Sequence, residues 1–155
     1  MIIEDLIKQL SLTAHPEGGY FSETYRSKIT IPGIDRQLMT SIYFLLTSDN
    51  VSKFHRIKSD ELWFFYGGSS LIVHTLDENG HTETKVGMNF PLGEVPQLLV
   101  PKDTIFGSSV SEENSYSLVS CVVAPGFDFA DFELFTADEL LEINPEESAI
   151  ISRLT

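Results

Sequence analysis

The chain has 155 residues, of which 42% are hydrophobic and 21% charged, a composition that predicts one folded domain over residues 1–155 and excludes a disordered chain or a two-domain dinucleotide enzyme. Its 10 Lys and Arg against 23 Asp and Glu give a net charge of −13, which argues against binding to nucleic acid or to an anionic membrane surface. The single cysteine, Cys121, excludes an internal disulfide, and no apolar run has the length of a membrane span, so we expect a cytoplasmic protein.

The first elements along the chain are a helix and a turn. Met1–Leu10 carries five Ile and Leu residues at helical spacing, which predicts a short amphipathic helix. Gly18-Gly19 predicts a tight turn into a first strand. From Thr40 onward, short β-branched and aromatic runs alternate with turn signals, which predicts successive antiparallel strands. These strands are Thr40–Leu46, Ser52–Ile57, Glu61–Tyr66, Ser70–Leu76, Thr82–Met88, Pro96–Val100 and Tyr116–Ala124.

Turn and capping signals complete the predicted architecture. Asn79-Gly80 lies between two strands and suits a tight hairpin turn. Near the end of the chain, Thr136–Glu139 and Asn144–Glu147 each fit a capping box, which predicts two short C-terminal helices. Seven or more short strands in a chain of this length predict an all-β sandwich or barrel, in which alternate residues of each strand line an internal cavity.

The stretch most relevant to chemistry begins at Glu61. Glu61, Trp63 and Phe65 share one face of their strand, and we expect that face to point inward because two exposed aromatic side chains would form an apolar surface patch. A carboxylate on an inward face is desolvated, which raises its pKa and suits it to acid–base work.

Here the sequence resembles the cupin superfamily. Its first motif, G-x5-H-x-H-x3,4-E-x6-G, is matched at His55, Glu61 and Gly68, with Ile57 in place of the second His. Its second motif, G-x5-P-x-G-x2-H-x3-N, is matched at Pro101, and Phe106 stands where its His is expected. The chain is more closely similar to an uncharacterised branch, the domain of unknown function 985. The matching segments are His15–Arg26, Thr40–Leu46, Phe54–Trp63, Pro96-Gln97, Val100-Pro101 and Ala124–Phe129.

The resemblance implies a double-stranded β-helix, or cupin jelly roll, with a small-molecule pocket in the mouth of the barrel. Such proteins are commonly dimeric, so we expect a homodimer. The resemblance implies no particular reaction, because cupins include metal-dependent dioxygenases and isomerases, metal-free epimerases and storage proteins.

Three residues are candidate catalytic groups. His55 and Glu61 form a possible proton-transfer unit, with Tyr43 as the opposing acid. This is the logic of the metal-free sugar-nucleotide epimerases of the superfamily. Two alternatives stay open: a non-catalytic binding protein in which His55 and Glu61 only hydrogen-bond one another, and a divalent-metal cupin with an unusual ligand set.

Four residues are candidates for substrate binding. Trp63 and Phe106 are placed to stack on a sugar ring or a base, whereas Arg36 and Gln97 are suited to binding hydroxyl or phosphate oxygens. Arg26 competes with Arg36 for that role.

A bound metal is not expected. Catalytic metal sites normally use three or more protein ligands, and the motif positions supply only His55 and Glu61. The spacing of the chain does not compel His15 or Glu17 to join them. We expect His74 to be hydrogen-bonded or solvated within its strand, and His81, after the hairpin turn, to be exposed.

Overall fold

The computed structural model describes residues 2–155, so Met1 of the predicted N-terminal helix lies outside the described residues. The strands are β1 (Thr13–Ala14), β2 (Tyr20–Arg26), β3 (Thr40–Thr47), β4 (Ser52–Arg56), β5 (Asp60–Gly68), β6 (Leu71–Asp77), β7 (Gly80–Val86), β8 (Gln97–Val100), β9 (Ile105–Val110), β10 (Tyr116–Ala124) and β11 (Glu133–Leu134). The α-helices are α1 (Ile2–Gln9), α2 (Ala137–Ile143) and α3 (Ser148–Arg153), and 3₁₀ turns span Phe90–Leu92, Phe129–Asp131 and Pro145–Glu147.

Two antiparallel sheets form the body of the protein. The six-stranded sheet has the order β1-β2-β3-β10-β5-β8, and the five-stranded sheet has the order β11-β4-β9-β6-β7. Neighbours in each sheet are often far apart in sequence, as in a jelly roll. The predicted all-β jelly roll with short helices at both ends is confirmed.

Two buried apolar clusters hold these layers together. The larger one fills the space between the sheets and includes Phe44, Trp63 and Phe106. The smaller one includes Phe54, Leu140 and Leu154, and joins the five-stranded sheet to the C-terminal helices. The helices therefore cover the outer side of that sheet, while the barrel interior stays between the sheets.

The seven strands predicted between Thr40 and Ala124 are present with small differences at their ends, but β9 is missed. Its interior reads Gly107-Ser-Ser109, which lacks the β-branched and aromatic signal of a strand. Packing requires these small residues, because a Cβ on Gly107 would lie 2.6 Å from the Ser52 carbonyl oxygen and 2.8 Å from a methyl carbon of Leu154.

The turn and capping signals have different outcomes. The β6–β7 hairpin is confirmed, with Gly80 at a φ of 106°. The capping box of Thr136 and Glu139 is confirmed at the start of α2. The second capping box is wrong, because the buried Asn144 side chain donates its hydrogen bond to the carbonyl oxygen of Asp77 instead.

Among residues 2–155, no helix is both long enough and apolar enough to cross a bilayer.

Candidate functional site

One end of the barrel encloses a cavity of about 40 Å³, which we call the chamber. Apolar side chains form most of its wall. The titratable groups that line it are His15, Glu17, His55, Glu61 and Cys121.

Strand register explains why Glu61 reaches the chamber. Glu61 pairs with Val123 of β10, which pairs in turn with Thr40 of β3, and all three side chains line the chamber. The predicted inward face of β5 is confirmed, because Glu61 is 8% exposed and Trp63 is 1% exposed.

A tight turn carries Glu17 to the same place. Gly18 takes a φ of 109°, and a Cβ there would lie 1.9 Å from the Val51 carbonyl oxygen, so only glycine allows this approach to the chain before β4. The backbone N–H of Lys53 on β4 then donates to the Glu17 carbonyl oxygen at 2.7 Å. These contacts fix Glu17 beside His55, which is also on β4.

His55 and Glu17 form a buried ion pair. The Nε2 atom of His55 lies 2.7 Å from Oε2 of Glu17, and its Nδ1 atom lies 2.7 Å from the carbonyl oxygen of Lys53. A carbonyl oxygen only accepts, so Nδ1 carries a proton. The short contact between Nε2 and the carboxylate then needs a second proton, which makes the pair an imidazolium beside a carboxylate.

The pKa shifts follow from burial and from this pairing. Burial alone would lower the pKa of His55 and raise that of Glu17, but their mutual charge and hydrogen bond outweigh burial and shift both in the opposite directions. Burial, followed by the charge of Glu17, raises the pKa of Glu61 to about 7. Glu61 therefore changes its protonation state near neutral pH.

His15 supplies the remaining titratable ring. Its Nδ1 atom accepts a hydrogen bond from the backbone N–H of Glu17 at 3.1 Å. Burial lowers the pKa of His15 despite the nearby Glu17 carboxylate. A neutral ring that accepts at Nδ1 carries its proton on Nε2, so His15 is also a hydrogen-bond donor.

The structure brings the predicted residues His55 and Glu61 into one chamber but gives His55 a different direct partner. The spacing of the sequence did not predict that Glu17 would lie beside these residues. The signal for it is Gly18-Gly19, because a glycine turn permits close backbone approach and so brings Glu17 against β4.

Trp63 and Phe106 lie in the core and do not line the chamber. The Phe106 ring packs against His55 at a centroid distance of 4.3 Å, and its edge contacts Trp63. The Trp63 Nε1 atom is buried without a hydrogen-bond partner. These aromatic side chains support the chamber from the barrel interior.

Tyr43 and Gln97 lie on the opposite side of the six-stranded sheet from the chamber. Successive side chains on a strand point to opposite faces, so Thr40 and Ile42 line the chamber while Tyr43 faces outward and packs against Tyr66. Gln97 is exposed on β8. The structure therefore does not bring the predicted acid Tyr43 to His55 and Glu61.

Arg36 is held away from the chamber by acidic side chains. It donates two hydrogen bonds to the carboxylate of Asp131, at 2.8 and 2.9 Å, and lies 3.7 Å from Asp128. Asp128 comes directly before the 3₁₀ turn Phe129–Asp131, and Asp131 is its last residue. The next residue, Phe132, lines the chamber. Arg36 therefore holds this part of the chamber wall in place. Its guanidinium is already paired with the carboxylates of Asp131 and Asp128.

An open cleft continues outward from the chamber. The cleft has a volume of about 310 Å³ and shares four wall residues with the chamber, namely Phe21, Thr40, Ile42 and Phe127. Arg26 lines the cleft and donates to Glu23, Gln37 and the carbonyl oxygen of Phe127. Arg26, which competed with Arg36 as an anion-binding residue, is thus the arginine next to the chamber.

The chamber does not match the metal centre that cupin motifs imply. Two motif ligand positions hold Ile57 and Phe106, and the imidazole of His55 is protonated against Glu17. Within the described residues, the chamber brings no three His, Cys, Asp or Glu ligand atoms within 4.8 Å of one another.

Comparison with known proteins agrees with this fold. The family model described as Cupin superfamily (DUF985) matches residues 4–135. An uncharacterized protein of Saccharomyces cerevisiae is 30% identical over 171 residues, which cover 98% of this chain and 85% of that protein. A solved structure from Shewanella oneidensis is 44% identical, with a TM-score of 0.93 over 98% of this chain and 96% of its own. A hypothetical protein from Leishmania major is 40% identical, with a TM-score of 0.90 over 98% and 97%.

More distant structures share the fold alone. A variant of oxalate decarboxylase from Bacillus subtilis is 20% identical, with a TM-score of 0.58 over 92% of this chain and 37% of its own. The family match and the similar relatives each extend over most of the sequence. The chain belongs to the cupin superfamily, in the family described as DUF985.

Proposed function

We propose that this cupin is an epimerase or isomerase that moves a proton next to the carbonyl group of a small polar substrate. The observation that carries the proposal is Glu61, a buried chamber carboxyl group with a pKa of about 7. A group with such a pKa takes up and releases a proton near neutral pH, which is the requirement for general acid–base catalysis.

The surrounding groups have separate roles in this proposal. Glu61 removes the proton from carbon and returns it. The Nε2–H of neutral His15 donates to the carbonyl oxygen, where negative charge develops during the reaction. The imidazolium of His55 balances the charge of Glu17, so the chamber holds one ion pair and one carboxyl group that is free to exchange its proton.

The dimensions of the cavity suggest the substrate class. The chamber has room only for the reacting end of a molecule, and the larger cleft accepts the rest. Arg26 at the cleft pairs with Glu23, but its side chain is 39% exposed against 20% for Arg36, so it is suited to hydroxyl or anionic groups and Glu23 to hydroxyl groups. These features favour a sugar or sugar-nucleotide type of ligand that enters carbonyl end first.

The test is exchange of substrate hydrogen with solvent deuterium, followed by proton NMR across a panel of aldoses, ketoses, hydroxy acids and sugar nucleotides. The wild type is compared with Glu61→Gln, which keeps the shape of the side chain and removes its acid–base function. We expect at least about a 100-fold loss of exchange rate in this variant. Glu113→Gln, an exposed acid on the surface, is the control and retains the wild-type rate.

Two outcomes would contradict the proposal. Compounds that bind in the chamber without any exchange would favour the alternative of a non-catalytic binding protein. Exchange that continues unchanged in Glu61→Gln would place the chemistry on another group, and metal analysis of the active preparation would then test the metal-dependent alternative.

We also propose that two copies pair through the outer face of the six-stranded sheet. Leu62 and Leu99 are paired on this face, and Leu99 and Tyr66 are 50% and 57% exposed. Exposed apolar side chains on one face are typical of an interface.

Light scattering should give twice the chain mass for the wild type and for the control Leu92→Glu, and the monomer mass for Leu99→Glu. A monomeric wild type would refute the pairing.

A further inference from the structure

A second group of chemistry-bearing side chains lies outside the chamber, on the β6–β7 hairpin. His74 on β6 is paired with Glu83 on β7, and His81 lies two residues before Glu83 on the same face of β7. We call these three residues the hairpin cluster. They belong to the five-stranded sheet, on the side that the C-terminal helices cover.

The three ligand atoms of the hairpin cluster are close together. Nδ1 of His74 is 2.9 Å from Nε2 of His81, and Oε1 of Glu83 is 3.7 Å and 3.8 Å from these two nitrogens. A single point about 2.0 Å from all three atoms satisfies these separations, in agreement with zinc–nitrogen and zinc–oxygen bonds of about 2.0–2.2 Å. Among residues 2–155, this is the one group of three ligand residues whose atoms lie this close.

The donor types identify the class of ion. Two imidazole nitrogens and one carboxylate suit zinc and similar transition metals, whereas calcium and magnesium prefer sites built from oxygen. Three protein ligands leave a fourth position on the ion, which becomes tetrahedral when the ion lies slightly out of the plane of the three atoms. Glu83, which is half-exposed, places that position within reach of water.

The surroundings orient the ligand atoms as a metal site requires. Nε2 of His74 lies 2.8 Å from the Ser109 hydroxyl, which can accept its proton and leave the Nδ1 lone pair facing His81. A ring that donates its proton from Nε2 has, on Nδ1, the lone pair that metal binding needs.

Charged groups beside the hairpin cluster come from the 3₁₀ turn Pro145–Glu147 and from α3. The Glu147 carboxylate accepts a hydrogen bond from the backbone N–H of His81 at 3.4 Å. Arg153 of α3 is a nearby cation whose charge acts on His74. The carboxylates of Glu83 and Glu147 outnumber the guanidinium of Arg153, and the chain has a net charge of −13. Both facts favour a cation at this position.

We propose that His74, His81 and Glu83 bind one divalent transition-metal ion of the zinc type, with water as the fourth ligand. The ion takes the place of the proton between the apposed His74 and His81 nitrogens, and that proton moves to Nδ1 of His81 or, where Nδ1 already carries one, to solvent. The site joins the two strands of the hairpin and is separate from the chamber.

Calorimetric titration of the chelator-treated full chain with Zn²⁺, supported by the visible spectrum of the Co²⁺ form, tests this proposal. We expect one equivalent of Zn²⁺ to bind and tetrahedral Co²⁺ absorption to appear. His81→Gln should weaken binding at least about 100-fold and Glu83→Gln at least about tenfold. Both side chains have solvent access, and circular dichroism checks that each variant is folded.

Matched controls separate this site from other sources of binding. Glu78→Gln removes the same charge from the turn of the same hairpin, and His15→Gln removes a histidine from the chamber, so both should bind Zn²⁺ as the wild type does. A wild type that binds no Zn²⁺ would overturn the proposal. So would binding that survives His81→Gln or disappears in His15→Gln.

Discussion

The chamber and the hairpin cluster each bring two histidines together with carboxylate, but the carboxylates differ in burial and distance. In the chamber, Glu17 is buried and lies 2.7 Å from His55. In the hairpin cluster, Glu83 is half-exposed and lies 3.7 Å or more from each ring, while the two rings approach each other to 2.9 Å.

This difference decides which species each histidine adopts. A buried carboxylate at hydrogen-bond distance holds a proton on His55, so its ring has no lone pair to offer and the chamber is suited to proton transfer. His74 has no carboxylate at hydrogen-bond distance, and its Nε2 atom is engaged by Ser109, so its Nδ1 lone pair is available. The same residue types therefore favour proton chemistry in one place and metal binding in the other.

The largest expected effect is the loss of the buried ion pair. Glu17→Ala leaves His55 buried without its partner, and we expect the free energy of unfolding at pH 7 to fall by about 3–5 kcal/mol, as for other broken buried pairs. Urea denaturation measures this change. The matched substitution Glu83→Ala should cost less than about 1 kcal/mol, since exposed pairs contribute little. Equal losses in the two variants would refute the contrast.

The second prediction concerns pH. Glu61 has a pKa of about 7 in the folded chain against an ordinary value of 4.5, so it binds its proton more tightly in the folded state. Its contribution to stability is complete below pH 4.5 and is lost as the pH rises through 7. The shift corresponds to a loss of about 3 kcal/mol.

Glu61→Gln removes this loss. Denaturation at a series of pH values should show the variant gaining stability relative to the wild type between pH 4.5 and pH 8, with the difference levelling off above that range. His55 also loses its contribution as the pH rises, because its pKa is raised, but among the groups that raise it the charge and hydrogen bond of Glu17 come first, and Glu17 is present in both proteins. A constant difference across the series would mean that Glu61 has an ordinary pKa.

Much of the fold was predictable because its signals are local. The alternation of Glu61 and Trp63 along β5 placed the acid on the inner face, and the Asn79-Gly80 turn marked the hairpin. Strand β9 was not predictable in this way. Its buried Gly107 is small because Leu154, which lies far along the chain, packs directly against it.

The site was only partly predictable for the same reason. Motif spacing indicated His55 and Glu61. The partner of His55, however, is Glu17, which lies in a turn 38 residues earlier in the chain. His81 was expected to be exposed, and it is half-buried because its ring stacks on His74. Pairing across a hairpin was needed to see that His74, His81 and Glu83 share one face.

The smallest expected effect tests whether the hairpin cluster depends on the helices that cover its sheet. Thr136→Ala removes the side chain that caps α2 at Glu139, and we expect stability to fall by about 1 kcal/mol. The ligand atoms come from β6 and β7 alone, so the Zn²⁺ stoichiometry and affinity of this variant should equal those of the wild type. A parallel loss of stability and Zn²⁺ affinity would show that the helices hold His74 in place, and the contrast with the chamber would then rest on the covering helices as well as on the hairpin.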